Sequence, residues 1–117
     1  IALYGTGGQG IDYVHIDDVS NAVKTIIEKN SIRNEIFNIG SGYLITIEQL
    51  AQLISILAGK KFGIDTKIKK IPAPEGSIWP DRLMSIKKIN EKVGWEPGIS
   101  INDGISEILE KSSGVSR

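Results

Sequence analysis

The stretch from Thr46 to Gly59 constrains the fold most. Ile47, Leu50, Ala51, Ile54, Leu57 and Ala58 recur at the spacing of one helical face, and Leu53 and Ile56 widen the stripe. Thr46 and Gln49 stand at capping-box separation, and Gly59 offers a terminator. A helix apolar over so much of its girth needs cover on more than one side. The neighbouring segments offer that cover with a different period. Ile1, Ala2, Leu3 and Tyr4 form a strand-like run, and residues 11–16 (Ile-Asp-Tyr-Val-His-Ile) form a second without a breaker. Residues 35–39 read as a short buried strand closed by a Gly40-Ser41-Gly42 turn, and the lysine-rich residues 67–71 as an edge strand.

Helical spacing returns elsewhere in the chain. Val19, Ala22, Val23, Ile26 and Ile27 follow Asp17 or Asp18 as a cap, with Asn30 near the end. Ile86, Ile89 and Val93 follow Ser85, with Gly94 as terminator, and Ile101, Ile105, Ile108 and Leu109 follow Ser100 and Asp103. Pro72, Pro74, Gly76 and Pro80 mark an irregular stretch between the second and third helices. Strands and helices intermix, which predicts an α/β or α+β unit, and from Ser112 the tail reads as frayed.

Composition excludes several classes of function. A chain of 117 residues suits a single domain. It holds no cysteine, so disulfides, thiolate nucleophiles and cysteine-based zinc sites are out. Fourteen basic residues balance fourteen acidic ones, so no overall field favours nucleic acid or an anionic membrane. No apolar run approaches the ~18 residues of a membrane span, and no basic-then-apolar leader opens the chain, so a cytoplasmic protein is expected. The chain starts inside a strand-like run without methionine, which predicts a piece of a longer protein.

Gly5-Thr6-Gly7-Gly8-Gln9-Gly10 matches the G-x-G-x-x-G pattern of dinucleotide sites. That motif must open a helix whose N-terminal amides receive a pyrophosphate, yet helical spacing here begins only at Val19. A glycine-rich loop between two strands is the favoured reading. His15, the sole histidine, is expected to pack or hydrogen-bond rather than ligate a metal, and Asp17 and Asp18 to serve helix capping rather than carboxylate chemistry. Gly40-Ser41-Gly42 reads as a tight turn or as a set of amides for a phosphate. Lysines 60, 61, 67, 69 and 70 read as a solvated face or a phosphate patch. Trp79, among prolines, either covers a ligand or pins its loop.

Read in order, several segments resemble the C-terminal part of the NAD-dependent epimerase/dehydratase family, the extended short-chain dehydrogenases that act on nucleotide sugars. They are Asp12-Tyr13-Val14-His15-Ile16-Asp17-Asp18-Val19, Ile36-Phe37-Asn38-Ile39-Gly40-Ser41-Gly42 and Thr46-Ile47-Glu48-Gln49-Leu50-Ala51, then Ser85-Ile86-Lys87-Lys88-Ile89 ending in Val93-Gly94-Trp95-Glu96-Pro97. The resemblance implies an edge strand and helix of a Rossmann sheet, with residues 17–40 returning to that edge, plus a small α+β substrate-binding lobe. It implies a homodimeric parent enzyme that binds a nucleotide-diphosphate sugar, with NAD or NADP held by an N-terminal domain of ~180–200 residues outside this chain.

The family's catalytic tyrosine and the lysine four residues on have no counterpart, since Gly8, Asp17 and Ile47 stand four residues after Tyr4, Tyr13 and Tyr43. No catalytic, cofactor or metal residue is therefore expected here, and the chain alone should be inactive. Many relatives carry a diphosphate-binding arginine immediately before the Asp-aromatic pair, where this chain has Ile11. Many also carry an Arg-Pro-Gly-Asp-like turn where this chain has residues 74–82, whose one arginine is Arg82. Arg82 is accordingly either a substitute phosphate partner or one half of a surface ion pair with Asp81 or another acid. Gln9 and Gly10 match the loop that approaches substrate, and Trp79 is placed to stack on the base.

The leading expectation is thus a substrate-binding portion of a nucleotide-sugar epimerase, dehydratase or reductase. The alternative is a non-catalytic assembly module that uses the apolar helix 47–58 as an interface. A helix-turn-helix reading of that helix fails on zero net charge and the lack of a second helix within a short turn.

Overall fold

The computed structural model describes residues 1–113. Its elements run β1 (Ala2–Tyr4), β2 (Gly10–Ile11), α1 (Ile16–Glu28), β3 (Ile45–Thr46), α2 (Ile47–Phe62), β4 (Lys69–Ile71), α3 (Lys87–Val93) and α4 (Ile101–Ser113). This is a mixed α/β unit, as the intermixed periodicities predict. β1 pairs in parallel with β4, Leu3 opposite Lys70, and β2 pairs antiparallel with β3, Gly10 opposite Thr46. A parallel bridge from Ile11 to Arg82 brings the proline-rich segment alongside β2.

The strand expected over residues 11–16 stops at Ile11, and the helix after it begins at Ile16. Asp12 still donates its amide to Arg82 O at 2.9 Å. Past that point no strand among the described residues offers a ladder, and extended backbone without a partner gives way to helix. The cap of α1 is His15 rather than Asp17 or Asp18: its Nδ1 accepts from the Asp17 amide at 3.2 Å. Asp18 is 5% exposed, and its two oxygens accept the Gly98 and Ile99 amides at 2.9 and 3.0 Å, tying the chain after Trp95 to the first turn of α1. Asp18→Ala strands both amides and should lower stability by about 2–3 kcal/mol in urea denaturation. A loss below about 0.5 kcal/mol would show that water replaces the clamp.

The core gathers Ala22 of α1, Ile89 and Val93 of α3, and Trp95, with Ile26, Ile32, Phe37, Ile39 and Ile86 packed around them. Val23 and Ile27, expected on the inner face of α1, lie outside, Ile27 with 73% of its surface exposed. The strand expected over residues 35–39 does not form. Among the described residues no strand lies beside it, Ile36 is 85% exposed, and α3 holds the segment instead. Lys88 donates to Ile36 O at 2.9 Å and stands 5.2 Å from the centre of the Phe37 ring. Lys88 and Lys92 both pair with Glu35, and their hydrogen bonds hold its carboxyl down to about 2.

The capping box of α2 forms as its spacing predicts: Thr46 Oγ1 accepts from Gln49 N at 3.1 Å and Gln49 Oε1 from Thr46 N at 2.9 Å. Gly59 does not end this helix. A glycine inside a helix costs about 1 kcal/mol but stops it only by turning left-handed. That happens at Gly63, with φ of 67°. Lys61 pairs with Glu110 to tie α2 to α4, while Ile56, on the widened stripe, is left half in water. Ser85 caps nothing; α3 starts after Ile86, which makes no side-chain capping bond, and ends at Gly94 as expected. Ser100 Oγ accepts from Asp103 N at 3.1 Å, so α4 begins where its capping residues predict. It includes Ser112 and Ser113, the first residues of the tail expected to fray; the rest of that tail lies outside the described residues.

Candidate functional site

Residues 5–9 form the loop between β1 and β2, Gly10 being the first residue of β2, and no helix opens from it. Three amides of the glycine run are engaged: Gly5 N donates to Ile71 O at 2.8 Å, Gly8 N to Thr6 Oγ1 at 3.2 Å and Gly10 N to Asp81 Oδ1 at 2.6 Å. Its carbonyls serve α2, whose first amides Ile47 N and Glu48 N donate to Gln9 O and Gly7 O at 3.2 and 2.9 Å. With Gln49 N bound to Thr46, the N-terminus of α2 keeps none of its first three amides for an anion. The glycine run opens no helix, and this helix end has its amides filled, so neither forms the amide cradle that a dinucleotide's pyrophosphate takes.

Trp79 packs on this loop. Gly5 adopts φ of 68°, and a Cβ there would lie 2.7 Å from the Trp79 ring, so glycine allows both the turn and the contact. Trp79 thereby pins the proline-rich segment, and 39% of its surface stays exposed. Gln9 is partly buried and Gly10, next to it in sequence, is buried.

Arg82 lies against the same strand. Its amide donates to Gly10 O and its carbonyl accepts from Asp12 N, both at 2.9 Å. Its exposed guanidinium makes no ion pair among the described residues. The surface pair with Asp81 does not form, because the Asp81 carboxylate is turned onto the Gly10 amide. The structure thus joins Gly10 to Arg82 directly, with Gln9 next to Gly10 and Trp79 on the far side of the loop.

Sequence reasoning missed Asp12 as a member of this group. Its carboxylate accepts from Ser41 N, Ser41 Oγ, Gly42 N and Met84 N. Partial burial pushes its carboxyl up, but the bonds from Ser41, Gly42 and Met84 outweigh that and hold it below the ordinary aspartate value. The Ser41 and Gly42 amides are therefore filled by a protein carboxylate rather than left for a phosphate. No local pattern announces Asp12, since its partners lie 29 to 72 residues off.

His15 bridges two helices as well as capping one. Its Nε2 stands 3.4 Å from Glu107 of α4, and Asp17 completes a group whose ligand atoms lie within 4.8 Å of one another. Nδ1 is occupied by the Asp17 amide and Lys111 pairs with Glu107, so this is a tie between α1 and α4. Of the five lysines read as a patch, Lys61 and Lys70 are paired with Glu110 and Glu48. A mostly apolar cavity of about 720 Å³ opens between Tyr13, Leu44, Leu53 and residues 97–101. Its lining includes none of Gln9, Gly10, Trp79 and Arg82.

No family model matches the chain. It is 31% identical over 110 residues to GDP-L-fucose synthase 1 of Arabidopsis thaliana, covering 94% of this chain and 32% of the plant protein. It is 30% identical over 99 residues to dTDP-4-dehydro-6-deoxyglucose reductase of Escherichia coli, covering 85% of this chain and 29% of the reductase. Among solved structures, UDP-glucose 4-epimerase of Thermotoga maritima with UDP-glucose superimposes with a TM-score of 0.79 at 32% identity, over 97% of this chain and 35% of the epimerase. The chain spans about a third of the length of these relatives. Over nearly its whole length, then, it is a homologue of the NAD-dependent epimerase/dehydratase-type enzymes named for their nucleotide sugars.

Proposed function

We propose that this chain is the substrate-holding, C-terminal part of a nucleotide-sugar epimerase, dehydratase or reductase. In this reading Arg82 binds the nucleoside diphosphate, Trp79 covers the base, and Gln9 and Gly10 line the approach. The observation that carries it is the Arg82 guanidinium. It has no ion pair among the described residues, and its backbone is fixed between Gly10 and Asp12. An arginine fork with no acid of its own matches a diphosphate, which takes two parallel hydrogen bonds from it. Binding energy drawn from diphosphate and base would orient the sugar toward a reacting centre outside this chain. NAD or NADP would belong to that outside part. The exposed apolar residues Ile16, Val23, Ile27 and Ile36 support residues 17–40 as the face returning to its sheet.

Calorimetric titration of the chain with UDP, GDP, dTDP and CDP tests the reading. One of the four should bind, and Arg82→Ala should weaken it about tenfold or more, the worth of a lost charge-assisted pair. Equal affinity in the variant would remove Arg82 from the site.

A further inference from the structure

We propose that Asp12 is the positioning residue of this site, fixing the main chain at Arg82 through its own amide on Arg82 O and through its carboxylate on the Met84 amide two residues on. The proposal rests on the reading of Arg82 as the diphosphate partner.

Both oxygens of Asp12 are fully used. Oδ1 accepts from Ser41 N at 2.7 Å and Ser41 Oγ at 2.5 Å, and Oδ2 from Gly42 N at 3.0 Å and Met84 N at 3.2 Å. An ionised carboxylate offers about four acceptor positions, so none is spare. The same residue donates its amide to Arg82 O at 2.9 Å. Arg82 is thus held through its own carbonyl by the Asp12 backbone, and through Met84, two residues on, by the Asp12 side chain. On the other side Asp81 grips the Gly10 amide at 2.6 Å. Two aspartates, each reaching across to the opposite segment, button residues 81–84 onto residues 10–12.

Gly40 makes room for this arrangement. A Cβ at that position would lie 2.6 Å from Met84 Cβ and 2.7 Å from Asp12 Oδ2. The turn can approach the carboxylate and the Arg82 segment together only because residue 40 has no side chain.

The chemistry demands aspartate itself. Every partner of the carboxylate donates, so the isosteric asparagine would turn an NH2 group toward amides that have nothing to accept with. Asp12→Asn therefore keeps the shape and breaks half of the clamp. An arginine whose main chain is already fixed loses less freedom when the ligand arrives, and releasing that main chain should lower affinity without removing a contact.

The test compares the unaltered chain, Asp12→Asn and Asp18→Asn, the last losing a carboxylate clamp remote from Arg82. Backbone amide relaxation at Arg82 and Met84 reports the order of the Arg82 main chain with no ligand present, and titration with UDP, GDP, dTDP and CDP reports affinity. The expected result is an ordered Arg82 in the parent and in Asp18→Asn, and a mobile one in Asp12→Asn. The affinity of Asp12→Asn should fall about tenfold, with Asp18→Asn within about twofold of the parent. Equal Arg82 order in Asp12→Asn and the parent would overturn the proposal whether or not a nucleotide binds. Failure of all four nucleotides would instead overturn the functional reading and leave the relaxation result to decide Asp12. If Asp12→Asn does not fold, Ser41→Ala, which removes one of the four bonds, should loosen Arg82 to a smaller extent; unchanged order there would also overturn it.

Discussion

Replacing Ile89 by alanine should cost this chain about 3–4 kcal/mol, the expected range for emptying a fully enclosed aliphatic site. Ile89 is fully buried and sits where α1, α3 and Trp95 meet, with Ala22 and Val93 as its buried neighbours. Alanine at 22 leaves nothing to swing into the void, so the cavity should persist rather than collapse. Domains of this size have only about 5–15 kcal/mol of stability in total, so the variant should approach the point of unfolding. Urea denaturation followed by fluorescence reads the effect, Trp95 being buried in the same cluster. A loss under about 1 kcal/mol would mean that the core is not centred on Ile89.

Gly40→Ala should be the second most damaging single change, and it should damage two things at once. The added methyl group would have to occupy space 2.6 Å from Met84 Cβ and 2.7 Å from Asp12 Oδ2. Neither neighbour can retreat cheaply: Met84 is held by its backbone bond to Asp12, and Asp12 is engaged at all four acceptor positions. Forcing a methyl group into a closed contact costs about 1–3 kcal/mol, and here the relief would come from separating the turn from the Arg82 segment. Denaturation should register the loss of stability, and amide exchange at Ser41, Gly42 and Met84 should quicken. Unchanged exchange at these three amides would show that the turn absorbs the methyl without loosening Asp12.

The elements written locally were the ones legible in the sequence. Thr46 with Gln49 and Ser100 with Asp103 are three residues apart, so the starts of α2 and α4 can be read by eye and form as read. The same reading failed for residues 11–16 and 35–39. β-branched residues mark chain that is able to extend, but a strand exists only where another strand lies beside it, and that is not encoded in the segment. The end of α2 was misplaced for a related reason: Gly59 and Gly63 look equivalent in sequence, and only the left-handed turn at Gly63 separates them.

The site shows the same division. The glycine run could be denied its dinucleotide role from the absence of a following helix, and in the structure Gly5, Gly8 and Gly10 direct their amides to Ile71, Thr6 and Asp81. Arg82 was legible through resemblance as the arginine left in its segment, while its freedom from Asp81 was not. Asp81 is taken up by Gly10, 71 residues away. Asp12 and Asp18 were read as part of a motif and as a helix cap. Their work, on partners up to 72 and 81 residues distant, is visible only once the chain is folded.

The account turns on where a nucleoside diphosphate meets this chain, and amide NMR titration with UDP, GDP, dTDP and CDP reads that directly. The account predicts saturable shifts at Gly10, Trp79 and residues 81–84 with one of the four. Shifts confined to the 720 Å³ cavity around Tyr13 and Leu53, or no shift with any nucleotide, would contradict it.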